Sequence, residues 1–549
     1  MKTIVASALG ECVHVAGVHG FLKLAEQYGW RTIFLGPANS IQQVIEAAEK
    51  EKANLVGVSY RLTPENGERL LAEFAEQADD LRSKGVKFAF GGTPPVVDRI
   101  RKLNFFEAHF DGSERIEEIT AYLRGQDISS AQEEDFPQNA VERIKWKSPY
   151  PLIRHHFGLP DLKKTIQGIE TISEAKVIDV ISLGIDQDAQ ENFFHPERQD
   201  IRRRGAGGVP VRSAEDYSRL YDATRMGNFP LIRTYSGTDD FIRLAEMYVK
   251  TINIAWAAVP LYWFNQMDGR GPWDLEGSIQ EHIQLMRWYG ERNIPVEANE
   301  AHHWGMRDAH DVVFVVSAYL AAYNAKAAGI NDHIVQLMFN SPPGTSMAMD
   351  LAKMIAIIDM ISPLVSPNFR IWRQVRTGLL SYPVDLDQAR AHLAISIFNQ
   401  MQINPDIVHV VGYPEANHAV TANEVIESCM MARKAIDDYI ASQISVINSE
   451  NIQHRVRELV YEAGVLVNEI HQLGSGISAD PLADPKVLAK AVTSGLLDAP
   501  QLSNNPYGKG EVVTSFDHRG ACLAIDKPSG KALSEEQRIS FMQSRRENG

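Results

Sequence analysis

Residues 3–17 read TIVASALGECVHVAG: a short apolar run, a loop carrying Cys12 and His14, then Gly17 as a helical pattern opens. A continuous apolar run of that length, closed by a glycine, suits a strand buried on both faces. The same pattern returns in RTIFLG (31–36), LVGVSY (55–60) and KFAFGG (87–92). Between these runs, VHGFLKLAEQYG (18–29), IQQVIEAAEKEK (41–52) and GERLLAEFAEQADDLRSKG (67–85) have helical spacing and charged outer faces. Strand and helix in strict alternation predict a doubly wound, flavodoxin-like α/β domain over residues 1–125. Its ligands are expected at the carboxyl ends of the strands.

Further along, residues 126–150 turn polar and acidic and are expected to be a linker. From there a strand-then-helix unit repeats about eight times. Candidate strands begin at Pro151 (PLIRHH), Val177, Pro230 (PLIRTY), Asn253, Ile294, His333, Asn368 and Ile407. Eight such units predict a (β/α)8 TIM barrel over residues 151–447, with its active-site groups where the strands end. Residues 448–549 read as a C-terminal extension, first helical and then rich in Gly and Pro.

The bulk numbers agree. A chain of 549 residues is too long for one core, and 44% hydrophobic with 23% charged residues is a globular composition. A net charge of −15 argues against a nucleic-acid partner. No apolar run approaches the ~20 residues of a membrane span. The opening segment reads as strand and loop rather than as a secretion signal, so a cytoplasmic location is expected. Cys12, Cys429 and Cys522 are too scattered for a disulfide framework or a zinc site.

The Cys12, His14 and Gly17 loop resembles that of the cobalamin-binding domain shared by methionine synthase and the cobalamin mutases, written Asp-x-His-x-x-Gly. The resemblance implies that His14 is the lower axial ligand of the cobalt, and a neutral imidazole suits such a metal. Ser59 matches the family's serine beside the buried nucleotide tail, and Gly91 with Gly92 matches the Gly-Gly that leaves room for it. Two positions depart: the family's Asp is Cys12, and a Leu after the serine is Arg61. A thiol is a weaker partner for the imidazole, so differently tuned cobalt ligation is expected.

The barrel and its extension are similar to the catalytic subunit of glutamate mutase (methylaspartate mutase), most clearly at residues 491–526. The segment PEANHAVTANEVIES (414–428) adds to the likeness. That family grips its substrate's carboxylates with three arginines, which fall here on Arg154, Gln190 and Arg233. Guanidinium groups suit this task because they offer bidentate donors and a permanent charge. The family's ammonium-binding Glu is replaced near residues 255–258, and its ribose-contacting Lys has no counterpart near Val410. A small carboxylate other than glutamate is therefore the expected substrate, with Tyr235 and Tyr262 as further binding residues.

After the fifth barrel strand, Glu297, Asn299, Glu300, His302 and His303 form the densest polar cluster. Glu300 matches a family active-site Glu. Read on a strand, His302 and His303 point opposite ways, so one of them is expected as a proton donor or hydrogen-bonding group. His155, Asp186, Asn340, Arg376 and Tyr413 are strand-end candidates as well, and Trp256 and Trp263 are candidate pocket walls. The methionine-rich run 345–360 is expected to be core, and Arg202 to Arg204 a solvated loop.

The resemblance implies an adenosylcobalamin-dependent radical isomerase, a mutase, acting as a homodimer. A corrinoid methyltransferase and a non-catalytic cobalamin-binding protein stay open.

Overall fold

Four of the five strands in the N-terminal sheet are the apolar runs read above: β1 (Thr3–Ala8), β2 (Arg31–Phe34), β3 (Leu55–Tyr60) and β4 (Lys87–Gly92). The fifth, β5 (Ala108–Phe110), has only three residues and shows no apolar run in the sequence. All pair in parallel, in the order β2-β1-β3-β4-β5. This is the flavodoxin-like order, which reverses direction between β1 and β3 and leaves a crevice there. β1 and β3 are buried along their whole length, which is why their sequences do not alternate.

This computed structural model describes residues 2–112, 114, 116–125, 133–442 and 444–547. The chain divides into two compact units, Met1–Gln132 and Glu133–Gly549. In the second unit, eight parallel strands follow one another around a barrel. They are β6 (Leu152–Phe157), β7 (Val180–Leu183), β8 (Leu231–Arg233), β9 (Ala257–Val259), β10 (Val296–Ala298), β11 (Asp332–Phe339), β12 (Arg370–Thr377) and β13 (Ile407–Val410). Their order is β8-β7-β6-β13-β12-β11-β10-β9. The circle closes through Ala255 N–H donating to Ile232 O at 2.8 Å and a parallel bridge between Tyr235 and Ala258. The protein is thus a flavodoxin-like domain and a TIM barrel with a C-terminal extension. No helix among the described residues is long and apolar enough to cross a membrane.

Side chains alternate inward and outward along each strand. Leu152, Val180, Leu231, Ile334 and Ile407 form an apolar layer at the amino end of the barrel. A helix, Ala140–Lys147, packs Ala140 and Ile144 against that layer. It lies within the stretch expected as a linker, of which residues 126–132 are outside the described residues. Its buried face, Ala140, Arg143, Ile144 and Lys147, follows helical spacing despite the polar composition. Arg143 fixes it by donating to the carbonyls of Pro137, Asn228 and Phe229, and Lys147 pairs with buried Asp179. This part of the supposed linker is a stopper.

The extension packs on the outside of the barrel. Its long helix, Glu450–Leu473, contacts the barrel helices Asp311–Ala327 and Met347–Ile361. A hairpin follows, β14 (Thr514–Phe516) with β15 (Cys522–Ala524), and then a helix, Glu535–Glu547. In the methionine-rich run, Met349 and Met354 are core while Met347 is exposed.

The last helix is anchored by buried Glu535, which meets His310 at 3.0 Å, and by Arg538, which donates to the carbonyls of Gly495 and Leu496. Burial alone would raise the Glu535 carboxyl, but Arg538 and His310 outweigh it and hold the group at about 2. A depressed carboxyl contributes stability above its unfolded pKa and loses it as pH falls through the folded one. Hydrogen exchange of residues 535–547 is expected to accelerate between about pH 4.5 and pH 2. Glu535→Gln should abolish that dependence; an unchanged profile in the variant would disprove the anchor.

Candidate functional site

Ala8 at the end of β1 is in register with Ser59 of β3, and Ser59 with Gly91 of β4. Three segments far apart in sequence thus meet at the carboxyl ends of neighbouring strands, beside the crevice between β1 and β3. Gly10 turns the chain out of β1 at φ +61°, with the Leu70 side chain against it. Cys12 is buried and His14 exposed, with the Cys12 Sγ 3.9 Å from His14 Nδ1. The thiol faces one ring nitrogen and leaves Nε2 on the other side. This is where the resemblance puts the aspartate, at a longer and weaker contact.

Ser59 is buried, and its Oγ has no hydrogen-bond partner among the described residues. A Cβ built on Gly91 would lie 3.9 Å from both Phe110 O and Ser59 Cβ, an ordinary contact distance, so the glycine keeps this strand end lean directly against Ser59. Gly92 is different: a Cβ there would lie 2.9 Å from Tyr60 O, so it is glycine for strand packing. Gly17 lies in the first turn of the helix Ala16–Gln27, with nothing within 4 Å of its Cβ position. Arg61 is exposed.

In the barrel, the inward positions above the apolar layer are polar. Arg154, Ser182, Arg233, Trp256, Glu297, Gln336, Gln374 and His409 are all buried. Glu297 is the hub. Its Oε2 accepts from Arg233 Nη2 at 2.7 Å, Trp256 Nε1 at 2.7 Å and Arg154 Nη1 at 3.2 Å. Arg154 also donates to Ser182 Oγ (2.6 Å) and Gln374 Oε1 (2.6 Å), and its Nη2 lies 3.3 Å from His156 Nε2. Burial would raise Glu297, but Arg233 and Arg154 overcome it and hold the carboxyl well below the usual range. Burial and Arg233 bring Arg154 down to about 9, still charged at neutral pH.

The two arginines expected as a carboxylate clamp therefore share an internal counter-ion. They are not saturated by it: among the described residues, Arg233 Nε and Nη1 are buried without partners, as are Gln336 Nε2 and Gln374 Nε2. Above them His156 lies between Tyr235, stacked at 5.6 Å, and His409, tilted at 4.8 Å. Burial, reinforced by Arg154, Arg233 and Arg376, keeps both imidazoles well below their ordinary pKa and so neutral.

After β10 the chain bends into a helical turn, Ala301–Gly305, rather than continuing as a strand. His302 and His303 consequently sit side by side, ring centroids 4.2 Å apart, correcting the opposite-facing arrangement read on a strand. Burial, aided by Arg376, pushes His302 down to about 3; His303 is also lowered, by burial and by His302. Neither carries a proton to give as an imidazolium at neutral pH, so hydrogen bonding is the role left to them. Glu300 accepts from Leu261 N, Tyr262 N and Trp304 Nε1, ties the loop after β9 to this turn, and burial raises it to about 8. Tyr262 is buried in that cluster, its ring edge-on to Trp304 at 6.0 Å.

A cavity of about 400 Å³ opens at the carboxyl end of the barrel, lined by Met306, Arg307, Met338, Asn340, Arg376 and Gln501 among others. Other candidates serve the frame. Gln190 turns its amide onto Ile185 O at 3.1 Å and does not reach the arginines. Asp186 pairs with Arg212, His155 faces Glu415, and Tyr413 bonds Glu427 and Arg390. Arg202 and Arg203 pair with Asp200 and with Asp188 and Glu191. Sequence reading missed His156, His409, Gln336, Gln374 and the hub role of Glu297. The available signal was the two-residue period through Leu152, Arg154 and His156.

No protein-family model matches the chain, and no curated protein matches it. Among solved structures, the chain is similar to a cobalamin-binding protein from Desulfitobacterium hafniense DCB-2, with 17% identity and a TM-score of 0.20. That match covers 22% of this chain and 58% of the other, so the chain spans less than two thirds of that protein's length. It is also similar to a Rubisco-like protein from Rhodopseudomonas palustris, with 11% identity and a TM-score of 0.31, over 55% of this chain and 70% of the other.

Proposed function

We propose that the chain is an adenosylcobalamin-dependent carbon-skeleton isomerase acting on a small carboxylate other than glutamate. The observation that carries this reading is that the loop bearing His14, the unpartnered Ser59 hydroxyl and the bare Gly91 all follow the carboxyl ends of adjacent strands. These residues fit a corrinoid whose own base is displaced. His14 Nε2 would ligate the cobalt, Cys12 would steady the other ring nitrogen, and Ser59 would bond the nucleotide tail beside Gly91. Bound adenosylcobalamin supplies radical chemistry through its weak cobalt–carbon bond.

The barrel residues supply the rest. Arg154 and Arg233, pre-oriented by Glu297, offer fixed positive charge to a carboxylate at the buried polar layer of the barrel. The neutral imidazoles of His156, His302 and His409 can hydrogen-bond a substrate without adding charge. A polar chamber in place of the usual bulky aliphatic filling favours a reaction inside the barrel.

The test is spectroscopic. Titration with adenosylcobalamin should give the base-off, His-on spectrum. His14→Ala should abolish it and weaken binding by roughly 10–100-fold or more, and Ser59→Leu should weaken binding as well. Failure to take up adenosyl-, methyl- or hydroxocobalamin would overturn the reading. A radical signal on anaerobic addition of a carboxylate supports the isomerase, whereas methyl transfer from methylcobalamin would replace it with a methyltransferase.

A further inference from the structure

The charges around the barrel chamber do not balance. Arg154 and Arg233 share the one carboxylate of Glu297, and among the described residues Arg376 has no ion pair and a buried, unbonded Nε. Three guanidiniums thus surround His156 and His409, against one acid. The lining of the mouth cavity continues the imbalance, since it contains Arg307 and Arg376 and no Asp or Glu. Nearby acids are engaged elsewhere: Glu300 with three N–H donors, Asp268 with Arg270, Asp186 with Arg212, and Glu415 with the Gly412 N–H and His155. Arg154 and Arg233 are buried while Arg307 and Arg376 are half-buried, and buried cations that outnumber their counter-charge are costly, which favours an anionic ligand here.

Where the charges lie narrows the ligand. Arg233 belongs to β8 and Arg376 to β12, four places apart in a ring of eight strands and so on opposite walls. Arg376 lies further toward the carboxyl end, where it lines the cavity. An extended molecule with an anionic group at each end can meet both walls at once. An ammonium group would enter a field of excess positive charge.

We propose that the chamber takes a dicarboxylate without an amino group, one carboxylate on the unbonded edge of Arg233 and the other on Arg376. This rests on the barrel's being the substrate chamber of the proposed isomerase, and it makes Arg376 a substrate-binding residue.

The test is calorimetric titration of the full chain without corrinoid, using succinate and glutarate against their amino counterparts aspartate and glutamate, with propionate and inorganic phosphate. Succinate or glutarate should bind about tenfold or more tighter than each of the others. Arg376→Gln should remove that preference while melting as the parent does, since its loss leaves no buried acid unpaired. Equal or tighter binding of aspartate, glutamate, propionate or phosphate overturns the proposal, as does no binding of either diacid, or an unchanged preference in the variant. Corrinoid uptake is measured separately on the same preparation, so its failure counts against the isomerase reading alone.

Discussion

Replacing Glu297 by glutamine is expected to destabilise the protein by about 3–5 kcal/mol. The side chain keeps its size and can still accept from Trp256, so the change isolates one loss, the negative charge between Arg154 and Arg233. Both guanidiniums are about 1% exposed and cannot turn to water for compensation. Removing one partner of a buried ion pair leaves the other's desolvation unopposed, and here two cations are left. Urea denaturation of both proteins at neutral pH measures the difference. A change below about 1 kcal/mol, the scale of a solvent-exposed pair, would mean that Glu297 is not their counter-ion.

The second large effect lies outside the chamber. Lys353 is fully buried, donates to Ser341 O at 2.6 Å, and lies 3.3 Å from Asp311 and 3.5 Å from Asp350. Asp311 also receives Arg455, from the long helix of the extension, and the backbone N–H of Cys522 in β15. One ammonium therefore helps to fasten the extension to the barrel. Lys353→Met is expected to cost about 3–5 kcal/mol, with hydrogen exchange rising first in residues 450–473 and 514–524. Asp350 sets the pH dependence. Burial pushes it up to about 7 despite Lys353, so its contribution is greatest below its unfolded pKa and falls as pH rises through about 7. Without Lys353 it can escape its unpaired charge by taking up a proton. The penalty should thus be smaller at pH 5 than at pH 8, and the reverse order would refute the assignment.

The frame of both units was legible because strands buried on two faces stand out as short apolar runs. The Pro-Leu-Ile-Arg repeat at 151–154 and 230–233 even put Arg154 and Arg233 at equivalent places on two strands. What stayed hidden had physical causes. β5 and β10 are three residues long, too short for any period to show. Without the register of β10, nothing marked Glu297 as inward-facing. His302 and His303 were misplaced because the backbone turns helical just after Asn299, and Glu300 holds that turn through contacts distant in sequence. The stopper helix hid in the acidic stretch because its buried face includes Arg143 and Lys147, whose partners come from other segments.

That stopper also governs traffic. With Ala140 and Ile144 wedged against the apolar layer, the barrel is a well rather than a tube. With that end filled, a ligand bound for Arg154 and Arg233 is left the carboxyl end of the barrel, the side on which the cavity at Arg376 opens. In the proposed isomerase, reactant and product would share that one side, and a molecule held at Arg376 would act as a cork, holding in what lies below it and keeping out what waits above.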